Sequence, residues 1–170
     1  MDPIDNDLDA LLQGYENGSI PMLFFLRRLD RFKREHGLVH DPVLGKAVVG
    51  SFGRHTEGRD LMAGLLEANG FEVIVADRWT PLAKVIEMCR DPGVTVLCLS
   101  VQTTYECPDV LETGGMLEEE GVRDRIVFNI GGSPITKELS DRAGGDVYST
   151  TAYESVRLVK EEVLRRRSSS

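Results

Sequence analysis

A glycine-rich turn that carries a single histidine follows an apolar segment in residues 48–73, VVGSFGRHTEGRDLMAGLLEANGFEV. The turn contains Gly53, His55 and Gly58, and a helical pattern begins directly after it. A neutral imidazole is a good ligand for a borderline metal ion, and a ligating histidine needs a partner for its other ring nitrogen. Whether His55 holds a ligand or is an ordinary surface residue of the loop is open at this point. His36 and His40 lie in a helix-end linker without polar companions and are predicted to be surface residues.

The elements that position this turn alternate between strand and helix. Short apolar runs that are typical of buried parallel strands are KAVVG, FEVIVAD, VTVLCLS, RIVFNI and DVYST. Helical patterns lie between them at about 57–69, 81–90, 108–120, 134–143 and 152–166. The sequence therefore predicts an α/β fold with a five-stranded, parallel, doubly wound sheet of the flavodoxin-like or Rossmann-like kind, in strand order 2-1-3-4-5.

This architecture predicts where a ligand would bind. In open doubly wound sheets, ligands bind at the carboxyl ends of the strands, near the point where the strand order reverses. The segments at these ends are residues 51–58, 100–106, 130–134 and 148–151. The fold alone does not identify the ligand.

The first 45 residues show helical patterns and lack the alternation of strand and helix. Residues 4–36 contain two helical patterns, with Pro21 in a first helical turn and Gly37 as a helix stop. The second carries an apolar stripe, and a helical hairpin of this size is too short to be stable alone. We therefore predict an N-terminal helical hairpin at 1–45, packed on an α/β domain at 46–170 or on another subunit.

Composition narrows the class of protein. The 170 residues fit one domain, and a net charge of −8 argues against a nucleic-acid partner. No apolar run approaches the roughly 20 residues of a membrane span, and the acidic start MDPIDNDLDA is unlike a signal peptide. Three cysteines without CxxC spacing indicate reduced thiols. We expect a cytoplasmic protein without a membrane partner.

Other ligand classes were compared for the same strand ends. A response regulator needs acidic residues where this chain has Ser51 and Ser100, which excludes that class. A flavodoxin-like FMN site remains an alternative, because Ser51, Thr56 and the helix N-terminus could bind a phosphate. Against it, the later loops offer only Tyr105 and Tyr148 to sandwich a flavin ring. A catalytic nucleophile is disfavoured, since no cysteine or oriented serine is predicted beside the histidine.

Residues 46–163 resemble the cobalamin (vitamin B12)-binding domain of methyl-carrying corrinoid proteins, methionine synthase and adenosylcobalamin mutases. The resemblance rests on four segments in order. GRHTEG matches the family's Asp-x-His-x-x-Gly motif at His55 and Gly58, and SVQTT matches the family's Ser-x-Leu-x-Thr motif except at Gln102. NIGGSPIT is similar to the family's Gly-Gly-x-Pro turn, and VYSTTAYESVRLV is similar to its closing segment.

The resemblance implies that cobalamin binds with its benzimidazole displaced from cobalt, the nucleotide arm entering the protein and His55 ligating the metal. The cofactor-binding residues that it implies are Gly53, Arg54, His55, Thr56, Glu57, Gly58, Ser100, Gln102, Thr104, Glu106, Gly131, Gly132, Ser133, Tyr148, Ser149 and Thr150. The glycine pair would let backbone approach the arm closely. No catalytic residue is implied.

One departure from the family motif concerns the partner of the histidine. The family's Asp, two residues before the histidine, is Gly53 here, and Glu106 stands where methionine synthase has the Ser that follows it in the hydrogen-bond chain. We expect Glu106 to reach the second nitrogen of His55. Glu57, a water molecule or a surface role for Glu106 are the alternatives. Without the Asp, His55 could also leave cobalt unligated.

The N-terminal segment bears on the role of the protein. GYENGSIPMLFFLRRLDRF resembles half of the four-helix cap of methyl-carrier corrinoid proteins, so Met22 and Phe25 either cover the corrin or pack in the core. Either the lid is reduced, or two chains combine their hairpins into one four-helix bundle; the apolar stripe favours the second arrangement, so we predict a homodimer. The resemblance thus implies a corrinoid protein that carries a methyl group between methyltransferases and has no activity alone. The alternatives are a small adenosylcobalamin mutase subunit, a non-enzymatic cobalamin sensor and the FMN-binding protein.

Overall fold

The computed structural model describes residues 3–169, with side chains from residue 6 onward. The helices are α1 (Pro3–Glu16), α2 (Met22–His36), α3 (Glu57–Ala68), α4 (Leu82–Met88), α5 (Cys107–Val110), α6 (Thr113–Glu119), α7 (Lys137–Arg142) and α8 (Ala152–Ser168). The strands are β1 (Lys46–Ser51), β2 (Glu72–Val75), β3 (Val94–Ser100) and β4 (Val127–Gly131). Within this part of the chain, no helix is long and apolar enough to cross a membrane.

The strands form one parallel sheet in the order β2-β1-β3-β4. The α/β class, the parallel sheet and the strand order up to β4 were predicted from the sequence. Five strands were also predicted, and this number is wrong for residues 3–169, because the segment DVYST contributes only an isolated bridge between Val147 and Asn129.

A carboxylate explains why this segment does not continue as a strand. The Phe128 N–H donates to Oδ2 of Asp146 at 2.8 Å, so a side chain takes a donor that a ladder would use. Arg123 holds the same carboxylate, with its Nη2 at 2.9 Å from Oδ1. The backbone that follows makes only the isolated bridge at Val147.

Two apolar clusters hold the helices on opposite faces of the sheet. One joins α1, α2, α3 and α8 to the sheet through side chains such as Phe25, Leu65 and Phe71. The other joins α4, α5 and α6 to the opposite face, with Phe128 and Leu117 among its buried members. The result is the three-layer arrangement in which helices cover both faces of a parallel sheet.

Helices α1 and α2 share the first of these clusters. The rings of Tyr15 and Phe25 lie 4.8 Å apart between them, and Phe25 is fully buried. A Cβ atom on Gly64 of α3 would lie 2.9 Å from Leu29, so this glycine permits close packing of α2 against α3. Core packing, the second of the two roles considered for Phe25, therefore applies, and Met22 also packs against this cluster.

Candidate cofactor-binding site

A cavity of about 440 Å³ lies at the carboxyl ends of β1, β3 and β4, on the side covered by α3 and α8. Its lining comprises Val49, Gly58, Leu61, Met62, Cys98, Leu99, Ser100, Gln102, Gly131, Gly132, Ser133, Ile135, Tyr148, Ser149, Thr150, Thr151, Ala152 and Ser155. Both the position and the volume are typical of ligand sites in open α/β sheets, which measure about 300–1,000 Å³.

Many of the residues implied by the sequence lie in this lining. They are Gly58, Ser100, Gln102, Gly131, Gly132, Ser133, Tyr148, Ser149 and Thr150. Those that the cavity lining does not include are Gly53, Arg54, His55, Thr56, Glu57, Thr104 and Glu106. The structure thus separates a cavity from a histidine loop and its neighbours.

The lining also includes residues that are not in the implied cofactor-binding set, although Thr151 lies in the predicted segment 148–151. They are Val49, Leu61, Met62, Cys98, Leu99, Ile135, Thr151, Ala152 and Ser155. Most are apolar residues inside predicted strands and helices, where the pattern is the same whether a side chain faces the core or a cavity. Thr151 carries a usable signal, because it caps α8 by accepting from the Glu154 N–H.

Two residues of the cavity floor, Val49 and Cys98, belong to a row of paired residues across the sheet. Val49 pairs with Cys98, and Cys98 pairs with Asn129. Burial raises the pKa of the Cys98 thiol to about 12, so this side chain is a neutral group and not a thiolate. The Asn129 amide is buried, and neither Nδ2 nor Oδ1 has a hydrogen-bond partner among the described residues.

Three glycines shape the approach to this floor. A Cβ atom on Gly58 would overlap Oγ of Ser100, and one on Gly132 would overlap the carbonyl oxygen of Val101. Gly132 also has a φ of 127°, which L side chains rarely adopt. A Cβ on Gly131, in contrast, would meet no described atom within 4 Å. The turn after β4 is therefore held tightly at Gly132 and leaves room for a ligand over Gly131.

His55 lies in the loop between β1 and α3. Its side chain is 47% exposed, and its Nδ1 lies 3.7 Å from Oε2 of Glu57. The described residues contain no cluster of three or more His, Cys, Asp or Glu side chains that could hold a metal ion. Metal ligation by the protein would therefore rest on this single imidazole.

Glu106 was expected to reach His55, but its carboxylate makes its contacts elsewhere. Its Oε2 accepts from the N–H groups of Gln102 at 3.0 Å and Thr103 at 3.1 Å, and it completes a capping box with Thr103. A Cβ atom on Gly53 would overlap its Oε1. Glu106 thus fills the space beside Gly53, while the carboxylate nearest to the imidazole is that of Glu57.

The residues of the cavity fit the nucleotide arm of cobalamin. An aromatic base requires an apolar floor, which Val49 and Leu61 help to form. A sugar and phosphodiester require hydrogen-bond donors, and the hydroxyl groups of Ser100, Ser149 and Thr150 line the same space.

Comparison with known proteins finds corrinoid proteins among the similar sequences. Dimethylamine corrinoid protein 3 of Methanosarcina mazei is 33% identical over 107 residues, which is 63% of this chain and 64% of that protein. Trimethylamine corrinoid protein 1 of Methanosarcina acetivorans is 28% identical over 123 residues, which is 71% of this chain and 57% of that protein. The chain spans about half to two thirds of the length of the curated relatives that it matches. No family model matches the chain.

Solved structures share the fold. A cobalamin-binding protein from Desulfitobacterium hafniense superimposes with a TM-score of 0.74 at 21% identity, covering 93% of this chain and 80% of that one. The methanol:cobalamin methyltransferase complex MtaBC from Methanosarcina barkeri gives a TM-score of 0.73 at 20% identity, covering 94% of this chain and 64% of that one. At these identities the likeness concerns the fold.

Proposed function

We propose that the chain binds a corrinoid and carries a methyl group between methyltransferases. The observation that carries the proposal is the cavity at the ends of β1, β3 and β4, in a chain that is similar in sequence to corrinoid proteins. When bound, the corrinoid supplies the methyl-transfer chemistry through its cobalt. The protein supplies binding, orientation and shielding, and no catalytic residue is assigned to it.

The cavity would hold the nucleotide arm in an extended form. Gly131 leaves open space above the sheet, and the hydroxyl groups of Ser100, Ser149 and Thr150 offer hydrogen bonds around it. These groups can pair with a phosphodiester or sugar without the desolvation cost of a buried charge. The arm would therefore anchor the cofactor, independently of any bond to the metal.

The histidine loop would provide the lower ligand of cobalt. Nδ1 of His55 faces the carboxylate of Glu57 at 3.7 Å, so this carboxylate favours the tautomer with hydrogen on Nδ1. The remaining nitrogen, Nε2, is then the one with a lone pair for a metal. Glu106 would act on the same loop from a distance, by supporting the turn that lies against Gly53.

Reconstitution with hydroxo-, methyl- and adenosylcobalamin tests this proposal. The ligand-free protein is mixed with each corrinoid, desalted and examined by absorption and by electron paramagnetic resonance of the Co(II) form. We expect corrinoid to remain bound and the Co(II) signal to carry nitrogen splitting. His55→Ala should retain the corrinoid through the nucleotide arm but lose the splitting, whereas His36→Ala, which removes an exposed imidazole far from the site, should change neither.

The outcomes separate the parts of the proposal. If none of the corrinoids remains bound after desalting, the proposed function is wrong, and FMN binding by the same sample would restore the flavodoxin-like alternative. If corrinoid remains bound and His55→Ala leaves the nitrogen splitting unchanged, binding stands and ligation by His55 is refuted.

The proposal extends to partners and location. Leu23 and Phe24 on α2 are 56% and 55% exposed, which suits an apolar contact with a second copy of the chain or with a methyltransferase. We propose the homodimer, formed through α1 and α2. The three free thiols suit a reducing, cytoplasmic setting. Sedimentation of wild-type protein and of Phe24→Glu tests the dimer, which the charge should dissociate. A monomeric wild-type protein would refute it.

A further inference from the structure

Asn129 is a polar residue at a place where the fold favours an apolar one. It lies inside β4 with 1% of its surface exposed, between the buried residues Phe128 and Ile130. Strands of a parallel sheet covered on both faces are normally rich in Val, Ile and Leu. A buried amide without partners costs about 1–3 kcal/mol for each unpaired group. Such a residue is therefore expected to have a partner that is not part of the described chain.

The sheet register places this amide next to a residue that lines the cavity. Asn129 pairs with Cys98, which pairs with Val49, and paired residues of parallel strands point to the same face. Cys98 and Val49 both line the cavity, so the cavity reaches this row. Gly131 lies two residues further along β4, on the same face, and also lines the cavity. Asn129 is not itself part of the cavity lining, but it stands beside Cys98 on this face, one strand away at about 4.8 Å.

We propose that Asn129 selects the base of the corrinoid's nucleotide arm, and that the selected base is a purine. The inference rests on the proposed function, because it concerns the part of the cofactor that would enter this cavity. An Asn amide offers donors and an acceptor side by side. The amino group and ring nitrogen of adenine present the complementary edge, and a bidentate pair of this kind is worth about 1–3 kcal/mol of discrimination.

A dimethylbenzimidazole base would leave the amide unsatisfied. Its outer edge carries two methyl groups, which neither donate nor accept hydrogen bonds, so the desolvation cost of Asn129 would persist in the complex. The same asymmetry makes sites built for a polar group reject analogues that lack it. Cys98, the neighbour in the row, is a neutral thiol and offers only a weak substitute.

Equilibrium dialysis against three corrinoids tests the inference on the whole ligand-free chain. The probes are adeninyl cobamide, cobalamin with its dimethylbenzimidazole, and cobinamide, which has no nucleotide. We expect the adeninyl form to bind about tenfold more tightly than cobalamin. Asn129→Val should remove this preference and leave cobinamide affinity unchanged, while Cys98→Ala, in the same row, should change the two nucleotide forms alike.

A second variant and a second measurement keep the test decisive. Asn129→Ser introduces a smaller side chain and should also abolish the preference for the adeninyl form. This variant replaces Asn129→Val in the test if the valine variant does not fold. The ligand-free valine variant should melt at a higher temperature than wild type, because it no longer buries an unpaired amide. Equal affinities of the wild type for both nucleotide forms would overturn the inference, whereas failure to bind all three probes would overturn the proposed function.

Discussion

The contact between Gly53 and Glu106 predicts strong coupling between two positions that are far apart in sequence. Gly53 has a φ of 65°, and a Cβ atom there would overlap the Glu106 carboxylate. An aspartate at position 53 would bring a second carboxylate into the same space. Gly53→Asp and Glu106→Ser, separately and together, therefore form an informative double-mutant cycle.

The expected magnitudes follow from the geometry. In Gly53→Asp, the new residue must adopt a left-handed backbone conformation. This costs about 1 kcal/mol, the lower end of the range for L residues, because Asp tolerates this conformation better than most residues do. It also displaces Glu106 from two backbone N–H groups, at about 2 kcal/mol in this half-exposed position. Glu106→Ser loses the same two hydrogen bonds, also at about 2 kcal/mol. The double variant avoids the overlap, so we expect it to cost about 3 kcal/mol instead of the additive value of about 5 kcal/mol.

Urea denaturation followed by circular dichroism at pH 7 measures these differences in the free energy of unfolding, provided that the slope with urea stays constant. Glu57→Ser serves as the matched control, because Glu57 is another carboxylate of the region that Gly53 does not touch. Gly53→Asp and Glu57→Ser should be additive. Additivity within about 0.5 kcal/mol for the Gly53 and Glu106 pair would refute the steric argument.

Three further predictions concern the cavity and the stability of the chain. Gly132→Ala should lower the free energy of unfolding by about 2 kcal/mol or more, as measured by urea denaturation, because a Cβ there would overlap a backbone carbonyl oxygen. Gly131→Ala should leave the melting temperature unchanged and weaken corrinoid binding, because its Cβ would enter open space. Hydrogen bonding from Arg165 lowers the pKa of Glu162 to about 2, so this carboxylate stabilises the fold at pH values above its unfolded pKa of about 4.5. Glu162→Gln should therefore lower the free energy of unfolding by about 1 kcal/mol at pH 7. In urea denaturation, the difference between this variant and the wild type should disappear as the pH falls from about 4.5 to 2. Cys98, with its raised pKa, should resist iodoacetamide at pH 8 in the native protein and react in urea, as mass spectrometry will measure.

The strands could be predicted from the sequence where several consecutive residues are apolar. In β1, β3 and β4 several apolar residues stand in a row, so one polar neighbour does not obscure the strand. The fifth segment has one apolar residue, Val147, followed by Tyr148, and its outcome depends on Asp146. That carboxylate binds the Phe128 N–H and Arg123, two contacts that no local pattern announces.

The site could be predicted where it lies at strand ends. Ser100, Gly131 and Gly132 follow buried strands, and the fold brings such positions to one edge of the sheet. Val49 and Cys98 lie within strands, and the sequence does not distinguish a side chain that meets a helix from one that meets a cavity. The contact of Glu106 with the turn at Gly53 depends on a side-chain rotamer and two backbone donors, which the spacing of the two residues does not specify.

The positions that break local rules lie in the strands that lead to the cavity and in the turns that follow these strands. Asn129 stands in a buried strand, Gly132 takes a φ of 127° against a backbone carbonyl, and Gly53 leaves room that a distant carboxylate fills. A sequence under selection for stability alone would favour an aliphatic residue at position 129, since about 1–3 kcal/mol is a substantial part of the 5–15 kcal/mol that holds a domain folded. A ligand that pairs with the amide would return that free energy on binding, because it binds only the folded state. The same amide thus lowers the stability of the free chain and raises its affinity for a base with a matching edge, so the stability of variants at Asn129 should change in the opposite direction to their affinity for that base.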